Sequence, residues 1–341
     1  MASLVPVVVR EDRIRGTIAG LRPFRPSGYR VETQRVGRTL VVHNYGHGGC
    51  GVTLSWGTAE RAADLAMQAF PVRAAVLGAG AVGLATARVL QERGLAVTVY
   101  ARDLPPHTTS NVAGALWSPV TLVDEAEVRA GFAEEVARDA RAAHRRFEAL
   151  AGERYGVHHL PFYLLGTSAE PPMSWEWAAT PELFRPQTLG PGQHPFPSPY
   201  AYQYRLMMID PAIYLEAVLD DVRAAGGEIV ERSLETLAEI QALGEDVVVN
   251  CTGLGARAIF ADDTLVPIKG QLTLMEPQAD VNYAIKSTVA DLYMFPRREG
   301  VVLGGSHRRG DWSLDPDPLE ARRIFDQHRA LFDVMASRGD Q

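Results

Sequence analysis

The run Val76-Leu77-Gly78-Ala79-Gly80-Ala81-Val82-Gly83 constrains this chain more than any other feature. Residues 74–77 before it are apolar, residues 82–93 read as a helix that Gly94 stops, and residues 96–100 form a second apolar run. That is a strand, a Gly-rich turn, a helix and a strand, a βαβ unit of the expected size. In such a unit the first glycine permits a tight turn and the second lets backbone approach a pyrophosphate. The third lets helix and strand pack closely, while the helix N-terminus offers N–H groups and a positive dipole to phosphates. In a chain with 31 glycines the motif alone is weak, but its strand–turn–helix setting favours a dinucleotide site over a structural turn. The loop does not open the chain. Residues 1–70 precede it and carry two further motifs, Gly20-Leu21-Arg22-Pro23-Phe24-Arg25-Pro26 and His43-Asn44-Tyr45-Gly46-His47-Gly48-Gly49-Cys50-Gly51.

A chain of 341 residues is long enough for two domains with cores of their own. Its net charge of −7, with basic residues scattered, argues against nucleic acid as the main partner. Cys50 and Cys251 are far apart and form no metal-ligand cluster, so no metal is expected and a cytoplasmic, reducing setting is. Every long apolar run is cut by charge or Gly well before the roughly 18 residues a membrane span needs. Residues 1–9 lack the basic region of a signal peptide, and the C-terminus carries no peroxisomal address.

Residues 124–153 read as one or two amphipathic helices and residues 170–200 as an irregular excursion rich in Pro, Trp and Gly. Asp210-Pro211 starts a helix that Gly226-Gly227 ends, with Asp at the N-cap and Pro at the first helical position. Strands are expected over 228–232 and 246–250, the latter leading into Cys251-Thr252-Gly253. Beyond Leu265, short strands over 271–275, 292–295 and 301–304 suggest an antiparallel sheet, with a closing helix over 319–336. Residues 17–22 and 29–33 are expected to continue that sheet, and 60–70 to form a helix running into the first βαβ strand.

Taken with Tyr293-Met294-Phe295-Pro296 and Leu303-Gly304-Gly305, the two early motifs and the glycine loop resemble the D-amino-acid oxidase family of flavoenzymes. In that family the loop opens the chain and the other two motifs close it. Here the order is wrapped round, as in a circular permutant, and the resemblance then covers nearly the whole chain, most weakly over 118–199. Permutation has a physical rationale: domain termini are often neighbours at the surface, so joining them and cutting elsewhere leaves the core unchanged. The fold implied is α/β (α+β), a circularly permuted D-amino-acid oxidase-like fold. A Rossmann-like FAD domain (38–118 and 208–260) interleaves with a substrate domain on an antiparallel sheet (1–37, 119–207 and 261–341).

The resemblance implies non-covalent FAD. Gly78, Gly80, Ala81, Val82 and Gly83 would face the pyrophosphate. The ribose-binding acid is due about 20 residues on, where Arg102 and Asp103 stand; a ribose contact and a solvated turn are both open for Asp103. Thr108, Thr109, Ser110, Gly114, Ala115 and Leu116 match the family segment that passes the pyrophosphate and lies along the flavin ring. Thr252 matches its strand-end Thr-Gly near the adenosine half, and Leu234 a backbone contact to adenine. Gly46, Gly48, Gly51, Val52 and Thr53 match the loop at the pyrimidine edge, whose N–H groups stabilise charge on the reduced ring. Cys50 reads as a packing residue.

By the same resemblance Arg22 is the anchor for a substrate α-carboxylate, for which a planar guanidinium in a rigid strand is suited. Tyr293 would bond the same carboxylate and the Gly49 carbonyl would accept from the substrate amine. Arg25 is expected to be structural. A second family Tyr is replaced by Val289. His307 and Arg308 stand where side-chain specificity is often set, and both an acidic substrate side chain and a solvated turn are open for them. The activity implied is oxidative deamination of a D-amino acid. Hydride passes to flavin N5 without a protein base, dioxygen is the acceptor, and a 2-oxo acid, ammonia and hydrogen peroxide are formed. Glycine, sarcosine or another small amino or imino acid is the alternative substrate class, and a non-catalytic flavin-binding protein the alternative of another class. No nucleic-acid or membrane partner is expected, and a homodimer is left open.

Overall fold

A computed structural model of the chain describes residues 4–339. They divide into two compact units, Arg22–Val157 with Ile209–Ile268, and Met1–Leu21 with His158–Met208 and Lys269–Gln341. The first is larger than the expected FAD domain of 38–118 and 208–260, because it also takes in residues 22–37, 119–157 and 261–268.

This first unit is built on a six-stranded sheet in the order Arg30–Val36, Thr39–Tyr45, Val247–Asn250, Arg73–Leu77, Ala96–Ala101, Glu228–Glu231. Every pair is parallel except that of Arg30–Val36 with Thr39–Tyr45. Asn250 stands level with both His43 and Leu77, and Leu77 with Tyr100, so four strands end together. Ligands of open parallel sheets bind outside such carboxyl ends. The interior strand Val247–Asn250 is buried throughout, as expected where both faces are covered.

Helices Gly51–Met67 and Phe132–Ala149 cross at Gly57, where an added Cβ would stand 2.0 Å from the Asp139 carbonyl oxygen. A buried polar cluster locks the same crossing. Asp139 accepts from the Tyr29 hydroxyl (2.8 Å) and from Arg61 (2.6 Å), and Arg61 also reaches Glu135 (2.9 Å). This is why 132–149 belongs with the nucleotide sheet.

Two expectations are corrected here. Residues 29–33 do not continue the antiparallel sheet. The turn at Gly37 (φ 59) and Arg38 folds Arg30–Val36 back on Thr39–Tyr45, which makes it an edge of the nucleotide sheet. The helix expected from residue 60 begins at Gly51. Its first two turns, Val52 to Ala59, are buried on every side, so they carry no polar face from which a helical period could be read.

In the second unit Leu292–Arg297 pairs antiparallel with both Gly300–Gly304 and Ala284–Ser287, whereas Ala284–Ser287 runs parallel to Val157–Gly166. Helix Pro318–Gly339 lays Ile324, Phe325, Leu331, Phe332 and Met335 into one core with Met275, Ile285, Met294 and Leu303. Val7 and Val9 join that core. Val8 N donates to Gln278 Oε1 (2.8 Å), and Arg322 pairs with Glu11 (2.7 Å). The start of the chain and the closing helix therefore share one core. Among the described residues no helix is long and apolar enough to cross a membrane.

Candidate active site

The glycines of the dinucleotide loop are required by contacts that a side chain would destroy. Gly78 sits at φ 106, and a Cβ there would be 2.7 Å from the Cys251 carbonyl oxygen. At Gly83 the Cβ would be 1.9 Å from the Gly78 carbonyl oxygen, so this residue sets how closely helix Ala81–Glu92 approaches the turn. Gly80 differs: the nearest atom to a Cβ there is Ser110 Oγ at 3.0 Å, and that hydroxyl accepts from Ala81 N (3.0 Å). At Gly80 the N-terminus of Ala81–Glu92 thus meets only the small side chain of Ser110 within 4 Å. It fits the pyrophosphate of a dinucleotide, which needs N–H donors and close backbone approach.

The segment after the second parallel strand is brought to this place. Thr108 and Asn111 close a capping box around the turn Thr109–Val112 that presents Ser110. Ala115 has φ 58 and its carbonyl accepts from Ile209 N (3.0 Å); Gly114 and Leu116 beside it are half-buried. Trp117 is buried, and its Nε1 donates to the Thr53 carbonyl (3.1 Å). The expected flavin segment therefore runs from one helix N-terminus to the next. Arg102 and Asp103 pair with each other (2.8 Å) on the exposed turn after Ala96–Ala101. Leu234 is buried with Leu77, Val248 and Ile240.

The loop from Gly46 to Gly51 ends at the start of helix Gly51–Met67, and a Cβ on Gly51 would touch Val82 Cγ2 at 3.9 Å. Two helix N-termini, from motifs distant in sequence, therefore meet. Gly46 (φ 86) and Gly48 (φ 55) hold left-handed conformations. A Cβ on Gly49 would lie 2.9 Å from Thr121 Oγ1 and 3.8 Å from Arg22 Cδ. The proposed carboxylate anchor and amine acceptor are thus neighbours. Pro23 packs 3.6 Å from the Cβ position of Gly253, which joins the arginine strand to the Thr252 turn. Cys50 is held by Val120, with Val120 N donating to its sulfur (3.1 Å), as a packing residue would be.

The two histidines of this motif are structural. His43 Nε2 lies 2.8 Å from Gln34 Oε1 and its Nδ1 3.1 Å from Asn250 Nδ2, so the amides fix the Nε2-protonated tautomer. The side-chain Oδ1 of Asn250 accepts from Thr252 N (3.1 Å) and Oγ1 (2.7 Å), which extends the network to the turn at Thr252. His47 stacks on Tyr29 (centroids 5.1 Å, 9° between planes) and bonds Thr58 Oγ1 (3.1 Å). Burial, with the positive charge of Arg30 near His43 and Arg61 near His47, pushes both rings down to about 3. Arg25, as expected, is structural and holds Asp262 (3.1 Å).

Tyr293 is carried by the other unit. It is buried, stacks on Phe295 (4.8 Å) and packs on Gly304. Val289 is 70% exposed, so the position where the family has a second Tyr presents an aliphatic side chain to solvent. His307 lies 3.6 Å from Asp291 and Arg308 2.6 Å from Asp317, so each has a carboxylate beside it already. Sequence reasoning missed Thr121. It is a β-branched residue at φ 58, a conformation such residues rarely adopt, and it faces both Gly48 and Gly49. No local signal marks it.

The sequence model of the family described as DAO, FAD dependent oxidoreductase, matches residues 1–65 and 73–340. A D-amino-acid oxidase of Rubrobacter xylanophilus is 36% identical over 76% of this chain and 77% of its own length. A human D-aspartate oxidase is 30% identical over 76% of this chain and 75% of its own. Among solved structures, glycine oxidase from Bacillus cereus superposes with a TM-score of 0.57 at 14% identity, over 78% of this chain and 79% of that one.

Proposed function

The chain belongs to the family of FAD-dependent oxidoreductases, and on that premise we propose that it oxidises D-amino acids to 2-oxo acids, with release of ammonia and reduction of dioxygen to hydrogen peroxide. One observation supports this above the others: Arg22 Cδ lies 3.8 Å from the Cβ position of Gly49. An α-amino acid carries its carboxylate and amine on one carbon, so a site for it needs a cation and an amine acceptor within a single small-molecule width. The R. xylanophilus and human relatives, named for D-amino-acid and D-aspartate oxidation, point the same way.

When bound, FAD supplies the acceptor for the hydride lost from the α-carbon. The chain supplies position and charge. Arg22 binds the carboxylate through its fork of donors, and the same resemblance gives Tyr293 the role of second carboxylate partner. The Gly49 carbonyl accepts from the amine and so sets the face on which the α-hydrogen lies. The N–H groups opening the adjacent helices Gly51–Met67 and Ala81–Glu92 would offer donors to negative charge on the bound cofactor. Neither His43 nor His47 serves as a base: both are buried and held neutral by that burial, His43 bonded through both ring nitrogens and His47 through Nε2 to Thr58. Catalysis by orientation is consistent with that.

The order of the motifs is read as a circular permutation. The family match breaks between residues 65 and 73, where the end of helix Gly51–Met67 passes into strand Arg73–Leu77. The join would lie in that link, and the packing of Val7 and Val9 against the closing helix agrees with a new break between two segments that pack together.

Anaerobic reduction of the bound flavin by a panel of D- and L-amino acids, glycine and sarcosine tests the activity. D-amino acids should bleach the flavin's visible absorbance fastest. Preference for glycine or sarcosine would move the assignment to that substrate class, and bleaching by none would leave only a flavin-binding protein.

A further inference from the structure

His328 lies within helix Pro318–Gly339 and is 0% exposed. Its neighbours on the buried side of that helix are apolar: Ile324, Phe325, Leu331 and Phe332. Burying an imidazole among them costs more than burying a leucine unless its nitrogens are used. Both face backbone carbonyls. Nδ1 lies 2.7 Å from the Ile324 carbonyl oxygen, one turn back in the same helix, and Nε2 lies 3.1 Å from the carbonyl oxygen of Tyr293. Only the second contact leaves the helix, and it ends on the backbone of the residue read above as a substrate partner.

Burial outweighs these two backbone bonds and, with the nearby charge of Arg323, pushes the ring down to about 4. Near neutral pH it therefore carries one N–H for two carbonyls. The side chain of Tyr293 is seated on Gly304, whereas its backbone is reached from the helix side by His328. A second side chain of the same helix, Arg323, bonds the Gly305 carbonyl on the adjoining strand end. The helix thus grips the Tyr293–Gly304 pair from both strands.

We propose that His328 is a positioning residue for Tyr293: its Nε2 stands 3.1 Å from the Tyr293 carbonyl oxygen, and a proton there, tested below against one held at Nδ1, fixes the strand position from which the phenol meets the substrate carboxylate. The proposal rests on the reading of Tyr293 as a carboxylate partner.

The test compares two amides in otherwise native, FAD-loaded protein. The amide nitrogen of His328→Gln falls where Nε2 stood, while that of His328→Asn reaches only the Nδ1 position. Stopped-flow reduction by a D-amino acid and by its decarboxylated amine gives an apparent dissociation constant and a limiting rate for each. His328→Asn should weaken D-amino-acid binding by ~10-fold, the loss of about one well-placed hydrogen bond, with a smaller change in limiting rate. His328→Gln should stay within ~3-fold of native, on the same scale. Kinetics with the amine should respond to neither. Should His328→Asn fail to fold, His328→Met keeps the volume without a donor and takes its place. Equal carboxylate affinity in the donor and non-donor variants overturns the proposal, because a purely structural role would not distinguish them. Tyr293→Phe in the same assay separates the two readings. If it binds D-amino acids like native, the role of Tyr293 falls; if it binds weakly while His328→Asn does not, only the positioning role falls.

Discussion

Tyr293 and Gly304 face each other across the hairpin formed by Leu292–Arg297 and Gly300–Gly304, and a Cβ on Gly304 would lie 2.2 Å from Tyr293 Cζ and 2.5 Å from its hydroxyl oxygen. The glycine is the seat of the ring. Gly304→Ala should push the phenol out of place at a cost of ~1–3 kcal/mol in stability, the usual range for overpacking. We expect kcat/KM for a D-amino acid to fall by at least ~10-fold with FAD still bound. Steady-state kinetics beside the flavin absorbance check this, and native kinetics would show that the ring position is irrelevant.

Gly80 and Gly83 should fail in different ways. A side chain at Gly80 meets only a rotatable hydroxyl, whereas one at Gly83 meets fixed backbone at 1.9 Å. Gly80→Val is therefore expected to fold as apoprotein, because its methyl groups occupy the pyrophosphate position. Gly83→Val should lose the fold itself. Circular dichroism with flavin content separates the two, and yellow, folded Gly80→Val protein would count against the site.

Arg22→Ala should retain fold and FAD but lower the second-order rate of flavin reduction by at least ~100-fold, because a charge-assisted bidentate contact is removed. Arg22→Lys should recover only part of this, since an ammonium lacks the planar fork. A native rate in Arg22→Ala would remove the main support for amino-acid oxidation.

The buried histidines beside the glycine loop set an acid limit. Their unfolded value is near 6.5, and in the fold His43 and His47 are pushed down to about 3. Above 6.5 both states are neutral. As the pH falls from 6.5 towards 3, only the unfolded chain takes up protons, so stability is lost across that window, by up to ~1.4 kcal/mol per pH unit for each ring. Flavin retention should fall with it. Thermal midpoints from pH 7 to pH 4.5 should drop for the native protein and less steeply for His47→Gln, and equal slopes would exclude His47 as a source.

The wrapped order of motifs predicts that residues 1–70 belong to the core. A chain starting at Pro71 should fail to fold or bind FAD weakly, since it lacks Arg22, the Gly46–Gly51 loop and helix Gly51–Met67. Moving residues 1–70 behind Gln341 through a Gly/Ser linker should restore flavin binding and activity. A stable, active fragment 71–341 would refute the permutation.

The parts of the site that were legible were those where the backbone itself has a task. Gly78, Gly80, Gly83, Gly48 and Gly49 are marked because a Cβ there meets a neighbour, and Arg22 because its setting in Gly20-Leu21-Arg22-Pro23 is distinctive. Thr121 was not legible, because its importance lies in where a loop returns to Gly49. Nor was His328, since a histidine in a long amphipathic helix looks the same whether it faces solvent or a strand carbonyl. The start of helix Gly51–Met67 was hidden because it is buried all round.

By itself the sequence determined the βαβ unit with its glycine turn and the family to which its motifs belong. Such features are local: a turn, a helix start or a motif carries its geometry in adjacent residues. Only the tertiary structure decided that Arg30–Val36 borders the nucleotide sheet, that Asp139 anchors helix Phe132–Ala149 to Gly51–Met67, and that Gly51 meets Val82. Those depend on contacts between residues far apart in the chain, whose free energy is shared by both partners and is written in neither stretch alone.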